Sequence, residues 1–305
     1  MLRTYAISDH RLTEMPDGSG PVMVYIAPDE VERRLLIDQY KIDEHTLSSA
    51  LDPDELARLE FEPDHVALIF KRPRNYSGKD GVMFKVASCG AFLFKDRLVI
   101  VQAEDVTLFE GRHFTRVTTL PEVILKLIYR SIFHFLEHLK IINSISVELE
   151  QKINQAMENR YLINLFGLEK SLVYYVSSIN SNGTVIDKLK LNAGKIGFTP
   201  EEIEYLDDTI IENSQCNKQA EIYSNILASL MDARVSVVSN NLNVLIKFLN
   251  IITIALMVPT LVVSVFSMNV RLPLVSEHPF SFWLIMALAL TSVLVFLFIW
   301  RTKKW

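Results

Sequence analysis

Two charge-free apolar runs near the C-terminal end are the clearest pattern in the chain. They span Phe248–Phe266 and Phe280–Trp300, and the segment Ser267–Pro279 separates them. Each run approaches the roughly 20 apolar residues with which an α-helix crosses a membrane hydrocarbon core of about 30 Å. The pattern therefore predicts two membrane-spanning helices, at 244–266 and 280–300, joined by a short loop at 267–279.

Basic residues at the ends of these runs predict their orientation. Lys247 precedes the first run, and Arg301, Lys303 and Lys304 follow the second in the tail 301–305. Lys and Arg close to a span favour the cytoplasmic side of a membrane. No basic segment followed by an apolar core opens the chain, so no cleaved signal peptide is expected. We therefore expect an inner-membrane protein with both termini and the body of the chain in the cytoplasm.

The first 120 residues alternate between strand and helix patterns. Helices are predicted at Val31–Tyr40, after the acidic pair Asp29-Glu30, and at Asp43–Leu51. Runs rich in Val, Ile, Phe and Leu predict strands at Pro21–Ile26, His65–Lys71, Val82–Cys89, Ala91–Phe94 and Leu98–Val101, with turns at Asn75–Gly81 and Lys95-Asp96. Because most of the links are short, we expect a mostly antiparallel sheet within an α/β domain at 1–120.

The pattern becomes helical after Pro121. Apolar residues recur at intervals of three, four and seven between Ile128 and Ile153, which is typical of helices packed on helices. Asn182-Gly183 and Gly194–Pro200 are expected to form turns. These features predict a helical region at 121–243.

The last helix of this region is predicted to run into the first span. Thr199 followed by Pro200 is a favourable helix start, and no Pro or Gly occurs again before Pro259. The segment is about 90 Å long if it is helical throughout, at 1.5 Å per residue. We therefore expect a continuous stalk helix that enters the membrane.

Polar residues in the first span recur on one helical face. They are Asn243, Asn250, Thr253, Thr260, Ser264 and Ser267, and Ile246 and Met257 complete the repeat. An unpaired polar group in lipid costs several kcal/mol, on the order of 2–7. The stripe either hydrogen-bonds helices together or lines a water-filled path in a symmetric oligomer. Apart from Ser281 at its start, the second run offers only Thr291 and Ser292, so we expect it to face lipid.

A lining of amides and hydroxyls suits an ion that keeps its hydration shell. Mg²⁺ loses its water reluctantly, so the stripe is compatible with a hydrated divalent cation. The lining does not by itself exclude Na⁺ or anions.

Composition and scattered reactive residues exclude other classes of function. The 31 Lys and Arg against 36 Asp and Glu form no basic stripe, which argues against nucleic acid as a partner. Cys89 and Cys216 lie far apart and are expected to be free thiols. His134 and His138 have a helical spacing but no third ligand nearby, so a structural role is favoured. The sequence shows no Gly-rich phosphate loop and no nucleophile motif, so no pattern in it points to an enzyme.

The C-terminal segment resembles the CorA family of magnesium channels. The resemblance is carried by Val237, Ser239, Asn240, Asn243, Pro259-Thr260, Ser267-Met268-Asn269-Val270, Leu272-Pro273 and Lys303-Lys304-Trp305, and more weakly by Leu51-Asp52-Pro53 and Arg72-Pro73. It covers nearly the whole chain. It implies a homopentamer in the lipid bilayer that passes Mg²⁺, or a related divalent cation such as cobalt, through a pore around the first span, with no organic cofactor.

The resemblance also implies roles for individual residues. Asn269, with Met268 and Ser267, is expected at the outer mouth, where the family's asparagine ring holds a hydrated ion. Below it the pore is expected to be lined by Ser264, Thr260, Met257, Thr253, Asn250 and, near the cytoplasmic end, Asn243. Ile246 and Leu249 are candidates for a hydrophobic gate. Asp207 and Asp208 are candidates for a regulatory Mg²⁺ site between cytoplasmic domains.

Ser267 departs from the family, which has Gly at this position of its Gly-Met-Asn signature. Gly reaches left-handed dihedrals at little cost and allows close backbone approach. Three outcomes are open for Ser267: a working magnesium channel, an altered ion preference, or impaired conduction. The alternatives in function are a proton-coupled zinc transporter of the same family and a non-conducting membrane-anchored scaffold or sensor.

Overall fold

The chain is divided into two compact units, Met1–Met231 and Asp232–Trp305. The computed structural model describes residues 1–76, 82–109, 111, 114–155, 159–268 and 280–302. The boundary between the units falls within one long helix, Pro200–Phe266.

Seven strands of the described residues form one mixed sheet in the first unit. They are β1 (Leu2–Ser8), β2 (Arg11–Glu14), β3 (Val22–Ile26), β4 (Arg58–Phe61), β5 (His65–Pro73), β6 (Val86–Phe94) and β7 (Leu98–Gln102). Their order is β2-β1-β3-β7-β6-β5-β4. All neighbours pair antiparallel except β3 and β7, which pair parallel. The expectation of a mostly antiparallel sheet is therefore confirmed.

Helices cover both faces of this sheet. The helices are α1 (Glu30–Asp38), α2 (Glu44–Leu51), α3 (Leu120–Gln155), α4 (Asn159–Leu191), α5 (Ala193–Ile196), α6 (Pro200–Phe266) and α7 (Ser281–Thr302). Leu36 of α1 and Leu47 and Ala50 of α2 pack on one face against Ile69 and Phe92. The other face forms a larger core with α3, α4 and the first part of α6.

Side-chain caps begin the helices where the sequence predicts. The Asp29 carboxylate accepts the backbone N–H groups of Val31 and Glu32, and Asp43 accepts that of Thr46. At the start of α6, the Thr199 N–H donates to the Glu202 carboxylate at 2.7 Å and the Glu202 N–H donates to Thr199 Oγ1 at 3.3 Å. These reciprocal bonds satisfy N–H groups that have no partner within the helix.

Two predicted breaks are wrong. Val82–Cys89 and Ala91–Phe94 were expected as separate strands, but Gly90 lies inside β6 and pairs with Ile69 and Val101. Asn182-Gly183 was expected as a turn but lies inside α4. Both positions are sites of close approach: a Cβ on Gly90 would lie 2.6 Å from the Ala50 Cβ, and one on Gly183 would lie 2.9 Å from Asn213 Nδ2.

Other expected turns need smaller corrections. The region Gly194–Pro200 contains the single helical turn α5, which ends at Gly197 with a left-handed φ of 88°. Most of the predicted turn Asn75–Gly81 lies outside the described residues.

Asn182 explains why α4 crosses the sheet where it does. The short strand β4 begins at Arg58, opposite Ile69, so the backbone of Lys71 extends beyond it on that side. The Lys71 N–H donates to Asn182 Oδ1, and Asn182 Nδ2 donates to the Lys71 carbonyl, both at 2.7 Å. The buried amide thus takes the place of a missing strand.

The second unit contains the remainder of α6 and α7. Both helices are long and apolar enough to cross a membrane, and almost none of the residues in their apolar segments is buried. A soluble protein seldom exposes so large an apolar surface, because each exposed side chain forgoes the gain from burial. The observation fits lipid or partner helices as the surroundings of this unit.

Candidate functional site

The polar stripe lies on a face of α6 that the chain leaves uncovered. Asn243, Asn250, Thr253, Thr260 and Ser264 are all exposed. The partly covered positions of the same stretch are Ile251, Ala255, Val258, Pro259, Val262 and Phe266. At about 100° per residue, the two sets lie on opposite faces, about 180° apart. Within one chain, therefore, no described residue masks the stripe.

The threonine hydroxyls of the stripe are oriented by the helix backbone. Thr253 Oγ1 donates to the Leu249 carbonyl at 2.9 Å, and Thr260 Oγ1 donates to the Leu256 carbonyl at 2.6 Å. Each hydroxyl has one proton and two lone pairs, so the groups have used their proton and keep acceptor capacity. The threonines of this face consequently present hydrogen-bond acceptors.

Ser267 ends the helix without backbone strain. Its N–H donates to the carbonyls of Val263 and Ser264 at 3.1 and 3.2 Å, and its hydroxyl donates to the Ser264 carbonyl at 2.9 Å. Among the described residues, the non-glycine positions with left-handed φ are Asp9, His10, Ala27 and Lys41. Ser267 is not one of them, so the freedom of glycine is not needed for this conformation.

The other expected mouth and gate residues are placed only in part. Met268 is exposed next to Ser267, whereas Asn269 lies outside the described residues. Ile246, Leu249 and Met257 are exposed on the same face as the stripe. The structure thus brings the lining and gate candidates of one chain onto one helical face.

The acidic pair on α6 is not part of a metal-binding cluster of the described residues. Asp207 Oδ1 lies 2.6 Å from Lys190 Nζ, and Asp208 is exposed. No group of three His, Cys, Asp or Glu side chains in the described part of the chain is close enough to hold a metal ion. A metal site at Asp207 and Asp208 would therefore need ligands from beyond the described residues of this chain.

His134 and His138 form part of the packed core of the first unit. Their rings are 4.4 Å apart, and His138 Nδ1 lies 2.7 Å from the Tyr175 hydroxyl. Burial is the main cause that lowers the pKa of each to about 4, and for His134 the nearby His138, Arg72 and Arg130 contribute to the same shift. Both rings are neutral at pH 7 and pack as aromatic side chains.

The two cysteines are buried free thiols, as expected. Burial raises the pKa of both Cys89 and Cys216 to about 12. The thiolate is the reactive form of cysteine, so neither residue reacts readily in the folded protein.

A mixed-sheet unit, a long helix whose last part is apolar with one polar face, and a second apolar helix together indicate a membrane protein. A family model described as CorA-like Mg²⁺ transporter protein matches residues 23–304, and the chain belongs to this family. The membership confirms the resemblance seen in the sequence.

Individual relatives agree with this assignment. The chain is 25% identical over 292 residues to the cobalt/magnesium transport protein CorA of Methanocaldococcus jannaschii. This alignment covers 91% of this chain and 89% of that protein. The complete structure of the CorA magnesium transporter from the same organism has a TM-score of 0.81 at 22% identity and covers 100% of this chain and 98% of its own.

Two further structures share the fold at lower identity. The full-length CmaX protein has a TM-score of 0.70 at 14% identity, covering 99% of this chain and 97% of its own. The cytoplasmic domain of ZntB from Vibrio parahaemolyticus has a TM-score of 0.56 at 14% identity, covering 76% and 95%. The solved structures of CorA, CmaX and the ZntB domain therefore share the fold of this chain.

Proposed function

We propose that this protein is a passive channel for divalent cations, with Mg²⁺ as the principal ion, and that copies of α6 surround its pore. The observation that carries the proposal is the uncovered polar face of α6 in a helix that is otherwise apolar. The family of CorA-like Mg²⁺ transporter proteins, to which the chain belongs, supports the choice of ion.

The proposed function requires an oligomer, because one chain contributes one polar stripe. A single polar stripe cannot enclose a path for water, whereas a ring of identical helices with their stripes inward can. Because the interior of α7, between its two ends, has Thr291 and Ser292 as its polar residues and no polar stripe, it is assigned to the outside. A homopentamer is the assembly that the family resemblance implies.

The acceptor character of the two threonines in the stripe favours a hydrated cation over an anion. Water bound to Mg²⁺ directs its protons outward and therefore donates hydrogen bonds to its surroundings. Thr253 and Thr260 have committed their own protons to the backbone and offer oxygen lone pairs. Such a lining stabilises the hydration shell without removing water, a loss that Mg²⁺ resists.

The proposed topology places both termini in the cytoplasm of an inner cell membrane. Lys247 before the first apolar segment and Arg301 after the second support it, because basic residues favour that side. The mouth at Ser267, Met268 and Asn269 then lies outside. Ile246 and Leu249 form the constriction nearer the cytoplasm, where apolar side chains can exclude water.

Ser267 is compatible with a working channel in this account. Its hydroxyl is engaged by the Ser264 carbonyl and its backbone is unstrained. We therefore expect magnesium conduction to survive the replacement of the family's Gly.

Flux into liposomes tests the proposal. The full-length protein is expected to carry Mg²⁺ into vesicles along a membrane potential, with inhibition by cobalt hexammine, which mimics hydrated magnesium. Asn269→Ala should lower the preference for Mg²⁺ over Na⁺ by about tenfold, the equivalent of one lost hydrogen bond to the shell. Ser267→Gly should conduct at a similar rate and serves as the matched control at the mouth.

The same vesicles distinguish the alternatives. Uptake of Zn²⁺ driven by a pH gradient would favour a proton-coupled zinc transporter. The absence of any ion flux, with Mg²⁺ chelated on the cytoplasmic side, would favour a non-conducting scaffold. Unchanged selectivity in Asn269→Ala would remove Asn269 from the mouth.

A further inference from the structure

A cavity of about 480 Å³ in the first unit is lined by a buried arginine that forms no ion pair with the described residues. Arg72, near the end of β5, is 5% exposed and lines the cavity together with residues of α3 and of the loop after β7. Its Nη1 donates to the Pro73 carbonyl at 3.3 Å. Its Nε and Nη2 are enclosed and have no hydrogen-bond partner among the described residues.

An unpaired buried guanidinium is unfavourable. A guanidinium keeps its charge in proteins, so burial does not neutralise it. Burying an ion is unfavourable even after the surroundings relax, unless a counter-charge or hydrogen bonds offset the lost hydration. The two free donors of Arg72 therefore mark a place where a partner is missing.

The charges around the cavity indicate the sign of that partner. Arg130 also lines the cavity, and the pKa of His134 is lowered by both Arg72 and Arg130 as well as by burial. The acidic residue of the described lining, Glu137, is exposed to solvent. The described lining thus carries two positive side chains, Arg72 and Arg130, and one carboxylate, and of these Arg72 is the buried one whose Nε and Nη2 have no hydrogen-bond partner.

The remaining walls indicate the kind of anion. Phe70, Leu108 and Leu127 supply apolar surface, and the exposed Asn75 and Thr107 supply polar groups where the cavity meets solvent. A volume of this size accommodates a small organic molecule, within the usual range of about 300–1,000 Å³. The planar fork of an arginine matches phosphate oxygens well.

We propose that this cavity is a binding site for a small phosphate-bearing molecule, with Arg72 and Arg130 as its anion ligands. The site lies in the first unit and does not depend on whether the pore conducts. Occupation would satisfy the donors of Arg72 and stabilise the sheet at the end of β5.

Calorimetry and thermal unfolding of the full-length protein in detergent test this site. The probes are inorganic phosphate and adenosine 5′-monophosphate, with sodium chloride at equal ionic strength as the blank. Each probe is expected to bind saturably, at one molecule per chain, to compete with the other, and to raise the Tm by mass action. If inorganic phosphate binds and adenosine 5′-monophosphate does not, the ligand of the cavity is a bare anion. If the nucleotide binds more tightly than inorganic phosphate, the ligand is an organic phosphate.

Arg72→Met is the decisive variant. It keeps much of the side-chain volume and is expected to weaken binding of both probes by about tenfold or more, since it removes a charged hydrogen-bond donor pair. Without probe it should be at least as stable as the wild type, because a buried charge has been replaced by an apolar group. Arg34→Met removes one charge from an exposed position of α1 and is expected to bind like the wild type.

Several results would overturn the proposal. They are the absence of saturable binding to the wild type, equal binding by Arg72→Met, and equal weakening by Arg34→Met. If Arg72→Met fails to fold, Arg130→Gln replaces it, and unaltered binding by that variant would contradict the assignment. None of these outcomes depends on ion flux, so failure here is distinguishable from failure of the proposed channel.

Discussion

Gly90 shows how a single missing side chain permits the packing of a helix on the sheet. It pairs with strands on both sides, and Ala50 of α2 packs directly above it. Sequence reasoning interpreted this glycine as a break between strands, because glycine usually weakens a strand. The reason for it is tertiary, and no local pattern reveals which helix lies above.

Gly90→Ala is expected to lower the free energy of unfolding by about 1–3 kcal/mol. The new methyl group would lie 2.6 Å from the Ala50 Cβ and would push α2 away from β6. Thermal or denaturant unfolding of the purified protein measures the effect. Gly194→Ala is the control, because a Cβ there meets nothing within 4 Å. Equal stability of the two variants would contradict the close approach.

Asn182 provides a second prediction at this scale. Asn182→Leu keeps the volume of the side chain but leaves the Lys71 N–H without its partner, at an expected cost of about 1–3 kcal/mol. Asn180→Leu, at an exposed position of the same helix, should have little effect. Unchanged unfolding of the Asn182 variant would show that the Lys71 backbone finds another partner.

At the scale of whole elements, the helices were more predictable than the strands. The start of α6 at Pro200 follows from Thr199, Pro200 and Glu202, which form a cap in sequence as they do in space. The strands β1, β2 and β4 were not predicted, and β2 and β4 are the edges of the sheet. Their residues mix charged and apolar types, as in the sequence Arg58-Leu59-Glu60-Phe61, and become strands by pairing with distant segments.

The candidate site was predictable only in part, for a related reason. Polar residues on one face of an apolar helix are conspicuous in sequence, so the stripe of α6 was found. The cavity at Arg72 was not, because burial of an arginine depends on α3 and on the loop after β7. The direction of the Thr253 and Thr260 hydroxyl protons likewise needed the helix backbone.

The packing of α3 against α4 predicts a pH dependence of stability. His134 and His138 have pKa values lowered to about 4 in the folded chain, against 6.5 for an ordinary histidine. The unfolded chain therefore binds more protons between these values, and stability rises with pH in that window. The contribution is complete above pH 6.5 and is lost as the pH falls towards 4, by about 3 kcal/mol at most for each histidine.

Unfolding measured from pH 4 to pH 7.5 checks this prediction. His138→Gln should flatten the profile between pH 4 and 6.5, whereas His45→Gln, at an exposed position, should leave the profile unchanged. An identical slope in the wild type and in His138→Gln would contradict a buried neutral histidine.

For the whole molecule, the proposed ion conduction depends on the assembly of several copies around the polar face of α6. One chain exposes this face opposite to its covered face, and the exposed apolar side chains of both membrane helices require lipid or other copies around them. Thr260 and Val262 lie at nearly the same depth, about 3 Å apart along the axis, and on opposite faces. They form a matched pair for testing which face meets the conducting path.

Block of Mg²⁺ flux by a charged thiol reagent at these two positions tests the central claim most directly. The native thiols at Cys89 and Cys216 are buried, so the unmodified protein should conduct Mg²⁺ into liposomes in the presence of the reagent. Thr260→Cys is predicted to conduct and then to lose its flux on modification, whereas Val262→Cys should retain it. Flux that persists in modified Thr260→Cys, or that is lost equally in both variants, would contradict a pore lined by this face of α6.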